Sequence, residues 1–255
     1  MKLLCLVLLI ALTAGATGHA EVLLEWRADQ RFQHTLQGDR TDELTAFVED
    51  VFGPYSLGLP FLNEIRIQQA IMAPNHVMVF WKFDDLAGYA EMASDPYFNE
   101  IASLADTFHE DVSLHLWRSA PWAPETLYGE PDLKGLDEVT FFIRAKIFSD
   151  YSMEGPYGPR MVARCQEIVN EWATLPGVVS VSSYYVLAAD WQVLFDVRFA
   201  DMDSWLEFHQ NEAVQSAQLD LREFFTQIQT ELWGPHWYTP ESLFPRDHQK
   251  TSTYP

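Results

Sequence analysis

Positive charge is scarce in this chain. Its 255 residues include 16 lysines and arginines against 37 aspartates and glutamates, a formal net charge of −21 at pH 7. Nucleic acids and anionic membrane surfaces repel a protein of this charge. The composition therefore predicts a protein with neither a nucleic-acid partner nor a membrane partner.

Cysteine is almost absent as well. Cys5 lies in the amino-terminal leader described below, so the rest of the chain keeps only Cys165. One cysteine cannot form an internal disulfide, and a chain with 48% hydrophobic residues can bury a core without one. Cys165 falls in an amphipathic helical stretch, where we expect a half-buried, unreactive thiol.

Several sequence motifs of catalysis are missing. The chain contains no P-loop, no G-x-S-x-G and no G-x-G-x-x-G. Metal-ligand spacing is poor too, because the segment around His209 lacks a second histidine and His109-Glu110-Asp111 reads as a solvated turn. The sequence thus predicts no metal site.

Long apolar runs are confined to the amino terminus. Lys2 precedes the apolar stretch Leu3 to Leu12, and Gly18-His19-Ala20 forms a small-residue cleavage site. This pattern predicts a signal peptide over residues 1–20 and a secreted or periplasmic mature chain from about Glu21. The apolar stretch is too short to span a bilayer comfortably, and no later segment comes close.

What the chain does contain is one sequence pattern written twice. Residues 59–128 match residues 175–244 without a gap, at a constant offset of 116. The identities include Leu59-Pro60 with Leu175-Pro176, Phe83 with Phe199, and Leu116-Trp117 with Leu232-Trp233. A repeat of this length predicts two copies of one folding unit, since each copy must bury the same faces.

Each copy reads as strand, helix, strand, strand, helix, strand. The predicted elements of the first copy are 22–28, 41–55, 63–72, 76–83, a helix from Asp84-Asp85 to Phe108, and 112–118. Those of the second copy are 138–148, 159–173, 178–188, 191–199, 201–226 and 228–233. The order is that of the ferredoxin-like unit, in which two helices cover one face of a four-stranded antiparallel sheet.

The predicted fold class is therefore α+β, with two tandem ferredoxin-like β-α-β-β-α-β modules. We place the signal peptide at 1–20, the first module at 21–118, a connector at 119–137, the second module at 138–244 and a loose tail at 245–255. Two such modules can bury the uncovered faces of their sheets against each other.

The stretches "NHVMVFWKFDDLAGYAEMASDPYFNEI" and "QVLFDVRFADMDSWLEFHQNEAV" give a strand, an acidic helix cap and an aromatic-bearing helix in the same order. This pattern resembles the dimeric α/β-barrel superfamily, in particular its antibiotic-biosynthesis-monooxygenase and NIPSNAP groups. The resemblance implies a single-chain pseudo-dimeric α/β barrel. It also implies chemistry without metal or flavin, so that no cofactor is expected.

Alternation along the strands assigns their side chains to two faces. The face expected beneath the helices of the first copy is apolar and holds Leu24, Trp26, Ile65, Ile67, Val77, Val79, Trp81, Phe83, Leu114 and Leu116. The opposite, barrel-facing side is charged and aromatic and holds Glu25, Arg27, Glu64, Arg66, Gln68, Met78, Phe80, Lys82, His115 and Trp117. Burying a charged side chain away from water costs free energy unless the charge is paired with an opposite one or takes part in binding or catalysis.

These barrel-facing residues give the leading hypothesis for a catalytic site. A ferredoxin-like sheet places its first strand beside its fourth, so Glu25 and Arg27 are expected next to His115. His115 would act as a general base oriented by Glu25, and Arg27 or Arg66 would hold a developing anion. The reaction class would be a cofactor-independent oxygenation, cyclisation or isomerisation.

The ligand predicted for this site is a small hydrophobic, aromatic or polyketide-like molecule between the two sheets. Tyr184 would donate a hydrogen bond to it, and Arg144 of the second copy would supply a positive charge. The aromatic walls of the site would be Phe80, Trp117, Phe142 and Trp233. The expected assembly is a monomer or a weak homo-oligomer.

Other interpretations stay open. The same charges can be ion pairs between two packed sheets, in a non-catalytic acidic extracellular binding or matrix protein. A haem barrel is less favoured, because the positions where haem-degrading relatives carry the iron ligand are Ala102 and Gln218 here. His236, beside Trp237, is expected to pack as part of a lid or to gate a pocket.

Overall fold

The computed structural model describes residues 20–129 and 138–236. Most of the predicted signal, part of the connector and the predicted tail lie outside the described residues. The described residues form two compact units, of which the first holds 20–69, 73–116 and 236. The second holds 70–72, 117–129 and 138–235.

The first unit is an antiparallel sheet with helices. Its elements are β1 (Val22–Gln30), α1 (Thr41–Phe47), a π-helical segment (Val48–Phe52), α2 (Gly53–Leu57), β2 (Leu62–Ala70), β3 (Ala73–Phe83), α3 (Leu86–Ser94), α4 (Pro96–Phe108) and β4 (His109–Ser119). The strand order is β4-β1-β3-β2, and Glu25 of β1 lies opposite Phe80 of the antiparallel β3. This is the strand order of a ferredoxin-like sheet, as the sequence predicts.

The second unit repeats this order of strands and helices. Its elements are β5 (Leu127–Tyr128), β6 (Val139–Ile147), α5 (Gly158–Ala173), β7 (Val178–Ala188), β8 (Val193–Phe199), α6 (Met202–Gln210), α7 (Glu212–Phe224) and β9 (Phe225–Pro235). The strands follow the order β9-β6-β8-β7-β5, and the pairs β6–β8, β6–β9 and β7–β8 are antiparallel. The fold class is α+β, as predicted.

Short polar side chains set the beginnings of the paired helices. Asp85 caps α3 by accepting the N–H of Gly88 at 3.0 Å, and Asp95 caps α4 by accepting the N–H of Tyr97 at 2.9 Å. In the second unit the extended backbone of Asn211 ends α6 and caps α7. The single helix predicted over 201–226 is therefore two helices.

The helix predicted over 41–55 is interrupted by the π-helical segment. Pro54 follows this segment and has no N–H to donate to the carbonyl of Asp50 four residues earlier, so the regular α-helical ladder cannot continue through it. Single-turn π segments occur frequently at functional sites.

The core of the second unit lies between its helices and its sheet. Trp172 of α5 meets Phe195 and Phe208 edge to face at 6.2 and 5.5 Å. Cys165 lies fully buried in this core, deeper than predicted, and burial raises the pKa of its thiol to about 12. Within 20–129 and 138–236, none of the helices has both the length and the apolar character to cross a bilayer.

Candidate functional site

The apolar face of the first sheet lies beneath the helices, as predicted, but it does not close completely. Between this face and the helices lies a cavity of about 70 Å³, within a cleft of about 600 Å³ when its open mouth is included. Its aromatic and aliphatic lining is Trp26, Leu44, Phe47, Val48, Phe52, Ile67, Val77, Val79, Trp81, Phe98, Ile101, Ala102 and Ala105. We name this space the first-unit cavity.

Two histidines line the first-unit cavity among the described residues, and apart from the indole N–H groups of Trp26 and Trp81 the other lining side chains are apolar. The two histidines are His109, the first residue of β4, and His236. The cavity is thus an apolar space with convergent imidazoles, which is the composition expected of a small-molecule site.

The position of His109 fixes the tautomer of its ring. Its Nδ1 atom lies 2.8 Å from the carbonyl oxygen of Ala105, which can only accept, so Nδ1 carries the proton. Burial lowers the pKa of His109 to about 4, and the hydrogen bond to Ala105 opposes that shift only in part. At neutral pH the ring is therefore uncharged, and Nε2 is the nitrogen with a lone pair.

Trp26 holds the His109 ring from the side. The two rings meet edge to face, with their centroids 4.8 Å apart and an interplanar angle of 87°. Phe108, the preceding residue, packs against Phe47 of α1 at 5.1 Å. These contacts fix the imidazole between α4 and the sheet.

His236 lines the same cavity and is held in place by hydrogen bonds to Gln30 and Ile67. Gln30 donates from Nε2 to the carbonyl of His34 at 2.7 Å, so its Oε1 is the acceptor, and His236 Nε2 lies 3.4 Å from it. The backbone N–H of His236 donates to the carbonyl of Ile67 at 3.2 Å. Burial lowers the pKa of His236 to about 3, so this imidazole is also neutral at pH 7.

The face opposite the helices carries the catalytic residues predicted from the sequence. His115 Nδ1 lies 3.3 Å from Oε2 of Glu25, and Arg27 Nε lies 3.6 Å from Oε1 of the same carboxylate. Glu25 is completely buried, and His115 is 9% exposed. The structure thus brings three of the four predicted catalytic residues together, in the strand arrangement that the sequence predicts.

Arg66, the fourth predicted catalytic residue, lies on β2 and is buried. Its guanidinium sits over the ring of Phe80, 4.9 Å from the centroid, and its Nε lies 2.9 Å from Glu64. Because β3 separates β2 from β1, Phe80 stands between Arg66 and Glu25. Arg66 therefore lies on the second strand from Glu25, with β3 between them.

The ligand-binding residues predicted in the second copy are buried together on its sheet. Arg144 forms an ion pair with Glu231 and lies over the ring of Phe142 at 5.3 Å. Trp233 donates from Nε1 to Glu231 at 3.1 Å. The remaining two predicted wall residues, Tyr184 on β7 and Trp117 near the end of β4, are 1% and 0% exposed.

The sequence indicated neither the first-unit cavity nor the burial of His109 beside it. The residue is not in a solvated turn; it is 8% exposed and lies at the junction of α4 and β4. Its place at the end of an amphipathic helix, within three residues of acidic side chains, suggested solvent exposure. His236, expected either to pack in a lid or to gate a pocket, lines the cavity.

Metal-ligating side chains do not cluster in the part of the chain that the structure describes. In those residues no group of three or more histidine, cysteine, aspartate or glutamate side chains is arranged to hold a metal ion.

No protein-family model matches this chain. No curated protein matches its sequence either. Solved structures do match its fold.

A candidate monooxygenase from Fusobacterium nucleatum matches with a TM-score of 0.66 and 7% identity, over 86% of this chain and 94% of that one. An anthrone oxidase-like protein matches at 0.54 and 12% identity, over 85% and 91% of the two chains. A variant chlorite dismutase from Candidatus Nitrospira defluvii matches at 0.56 and 10% identity, over 87% and 94%. At these identities the likeness shows the fold and not an activity.

Proposed function

We propose that this chain binds a small aromatic molecule with a hydrogen-bond donor, such as a phenol, in the first-unit cavity. His109 Nε2 accepts the hydrogen bond of this molecule and is placed to take its proton. The observation that carries the proposal is the neutral, tautomer-fixed imidazole of His109 in a cavity that, apart from His236, is lined by aliphatic and aromatic side chains. A hydrogen-bond acceptor in apolar surroundings favours a ligand that satisfies it.

The size of the cavity sets a condition on binding. A dry protein cavity of about 150 Å³ holds one benzene ring, and the first-unit cavity is about 70 Å³ before its mouth is counted. A ring therefore enters only when part of the wall moves outward. Val48 and Phe52, at the two ends of the π-helical segment, form the wall in which the regular helical hydrogen bonding is interrupted.

The chemistry that follows is proton transfer. A phenol or an acidic C–H next to a carbonyl gives its proton to His109 Nε2, which leaves an imidazolium beside an aromatic anion. The anion offsets the cost of the buried imidazolium. In an oxidation, as the names of the monooxygenase and anthrone oxidase-like neighbours suggest, the anion would then react with dioxygen as the oxidant. In an isomerisation or cyclisation, the proton would return to another atom.

Haem does not fit the residues that would have to hold it. Ala102, at the position where the resemblance expects the iron ligand, offers no ligand atom, and Gln218, at the corresponding second-copy position, offers only an amide. The first-unit cavity has no cationic side chain for the propionates among the residues that line it.

The test compares phenol with toluene, which has the same ring without the donor. In wild-type protein we expect saturable binding of both, followed by tryptophan fluorescence, because Trp26 and Trp81 line the cavity. Replacing His109 by Phe, the residue found 116 positions on at 225, should weaken phenol binding by about tenfold, the value of one hydrogen bond. Toluene binding should stay within twofold.

Two matched variants locate the site. Ala102→Leu fills the cavity and should abolish binding of both probes, whereas His115→Phe, on the other face of the sheet, should change neither. Equal phenol affinity in wild type and His109→Phe, or no binding of either probe to wild type, would show that the proposal is wrong.

The second candidate is the predicted cluster of Glu25, His115 and Arg27. It is favoured by the 3.3 Å contact of His115 with a fully buried carboxylate, which is the arrangement of a base and its orienting acid. Loss of phenol binding or turnover in His115→Phe, with His109→Phe unaffected, would select this site.

The proposal also includes a closed barrel in an exported protein. The burial of Glu25, Arg66, Arg144 and Arg198, each 3% exposed or less, supports faces that are covered on the side away from the helices. Export predicts that mass spectrometry of the secreted chain gives an amino terminus near Glu21.

A further inference from the structure

The second unit contains a cleft of different character. It has a volume of about 210 Å³ and lies between α7 and the strands β6 and β9. Its lining divides into an apolar floor of Phe141, Ile143, Leu221 and Ile228 and a polar rim of His209, Gln218, Arg222 and Thr230. We name it the second-unit cleft.

The pairing of β6 with β9 sets the positions of the floor residues on these strands. Ile143 of β6 lies opposite Thr230 of β9, so an aliphatic side chain and a hydroxyl stand side by side. Phe141, two residues before Ile143, is 5% exposed and presents its ring to the same space. Three of the four floor residues, Phe141, Ile143 and Ile228, therefore lie on paired strands, and Leu221 of α7 completes the floor.

Arg222 supplies positive charge at the rim. It makes no ion pair with the residues in the described ranges, although acidic side chains flank it in α7. Those acids are engaged elsewhere: Glu223 binds Arg160, and Asp220 binds Arg164. In a chain with a net charge of −21, an arginine without a carboxylate at the edge of a cleft is a place for a bound anion.

His209 supplies a second polar group. Its ring stacks on Trp205 at 5.1 Å and meets Phe141 edge to face at 5.3 Å. Its Nδ1 atom is buried and has no hydrogen-bond partner among the residues that the structure describes. A buried polar nitrogen in this state gains from a ligand that bonds to it.

We propose that the second-unit cleft binds a small aromatic carboxylate, with its ring on Phe141 and Ile143 and its carboxylate on Arg222. A cavity of about 150 Å³ holds one benzene ring, so the larger cleft has room for the ring and the carboxylate together. His209 and Thr230 provide further hydrogen bonds at the rim.

The offset of 116 residues shows how the two copies differ here. Gln218, Leu221 and Arg222 stand where the first copy has Ala102, Ala105 and Asp106. The charge at the last position is inverted, from an aspartate to an arginine. The copy with the apolar cavity therefore suits an uncharged ring, and the copy with the arginine suits an anion.

The test uses benzoate as the probe and benzyl alcohol as its uncharged match, titrated by calorimetry at physiological salt. Arg222→Gln should weaken benzoate binding about tenfold, the loss of one charge-assisted hydrogen bond, and leave benzyl alcohol within twofold. The control Arg160→Gln removes an exposed arginine of the same unit that is already paired with Glu223, and it should leave benzoate binding unchanged.

A second readout is independent of the variants. Benzoate should shift the imidazole NMR resonances of His209 with the same saturation curve as the heat. No saturable benzoate binding, an equal affinity in Arg222→Gln, an equal loss in Arg160→Gln, or unmoved His209 resonances would each overturn the proposal. Because His109→Phe should leave benzoate binding intact, failure of the phenol site and failure of this one are separable.

Discussion

The burial of His109 makes the stability of the first unit depend on pH. The folded protein holds this ring neutral with a pKa of about 4, whereas an unfolded histidine titrates near 6.5. Between pH 6.5 and pH 4 the imidazole of His109 is protonated in the unfolded chain but stays neutral in the folded chain. The stability contributed by this residue is therefore complete above pH 6.5 and is lost as the pH falls towards 4.

The magnitude follows from the same two values. The whole difference between pKa 6.5 and about 4 corresponds to about 3 kcal/mol. By about pH 5 the unfolded ring is almost fully protonated and the folded ring still almost neutral, so the loss relative to pH 8 is about 2 kcal/mol. Other groups add their own dependence, and a variant without the imidazole separates the contribution of His109 from theirs.

His109→Phe is the variant of choice, because a phenylalanine ring can keep the edge contact with Trp26 but cannot titrate. It should lose the hydrogen bond to Ala105, which costs about 1 kcal/mol at neutral pH. Its unfolding free energy should then fall by about 2 kcal/mol less than that of wild type between pH 8 and 5. Urea unfolding at each pH, followed by tryptophan fluorescence, gives both free energies.

The control is His76→Gln, a histidine of the same unit whose side chain is 42% exposed and paired with Asp29. It replaces a histidine outside the first-unit cavity, so it should leave the unfolding free energy at pH 8 close to that of wild type. If His109→Phe and wild type lose the same free energy over this pH range, His109 is not held neutral by burial, and the argument for an uncharged imidazole at the cavity is refuted.

Two further substitutions test the ionic and capping contacts. Glu25→Gln removes a buried carboxylate that compensates the half-buried Arg27 and should cost about 3 kcal/mol in urea unfolding. Glu43→Gln, in an exposed pair, should cost much less, and equal losses would contradict the burial argument. Asp201→Ala removes the acceptor for the N–H of Ser204 at the start of α6 and should cost about 1 kcal/mol, and an unchanged unfolding midpoint would show that this cap adds no stability.

The face on which each strand residue lies could be predicted, because successive side chains of a strand always point to opposite faces of the sheet. Each residue points opposite to its neighbour, so assigning Trp26 to the helix side also assigns Glu25 and Arg27 to the other side. The known strand order of a ferredoxin-like sheet then places His115 beside Glu25. Pattern and topology alone therefore predict that the two residues are neighbours, and the structure gives a distance of 3.3 Å between His115 Nδ1 and Glu25 Oε2.

The cavity could not be predicted by the same route. A pattern of apolar residues shows that a face is buried, but it does not show whether the side chains fill the space beneath the helices. The gap depends on the π-helical segment and on the small side chains of Ala102 and Ala105, whose effect appears only when the helices are packed. The burial of His109 was missed because its acidic neighbours, Glu110 and Asp111, do point to solvent.

The two copies show why a shared fold carries little information on function here. The positions that line the first-unit cavity and the second-unit cleft correspond in part. At the offset of 116, however, Ala102 corresponds to Gln218 and His109 corresponds to Phe225. None of these differences disturbs a strand or a helix, because the residues lie on the last helix of each copy and at its junction with the last strand. The sheets fix where a pocket can form, and a few side chains on α4 and α7 decide whether it accepts an uncharged ring or an anion. Substitutions at those helix positions should therefore change ligand class while leaving the strand register intact.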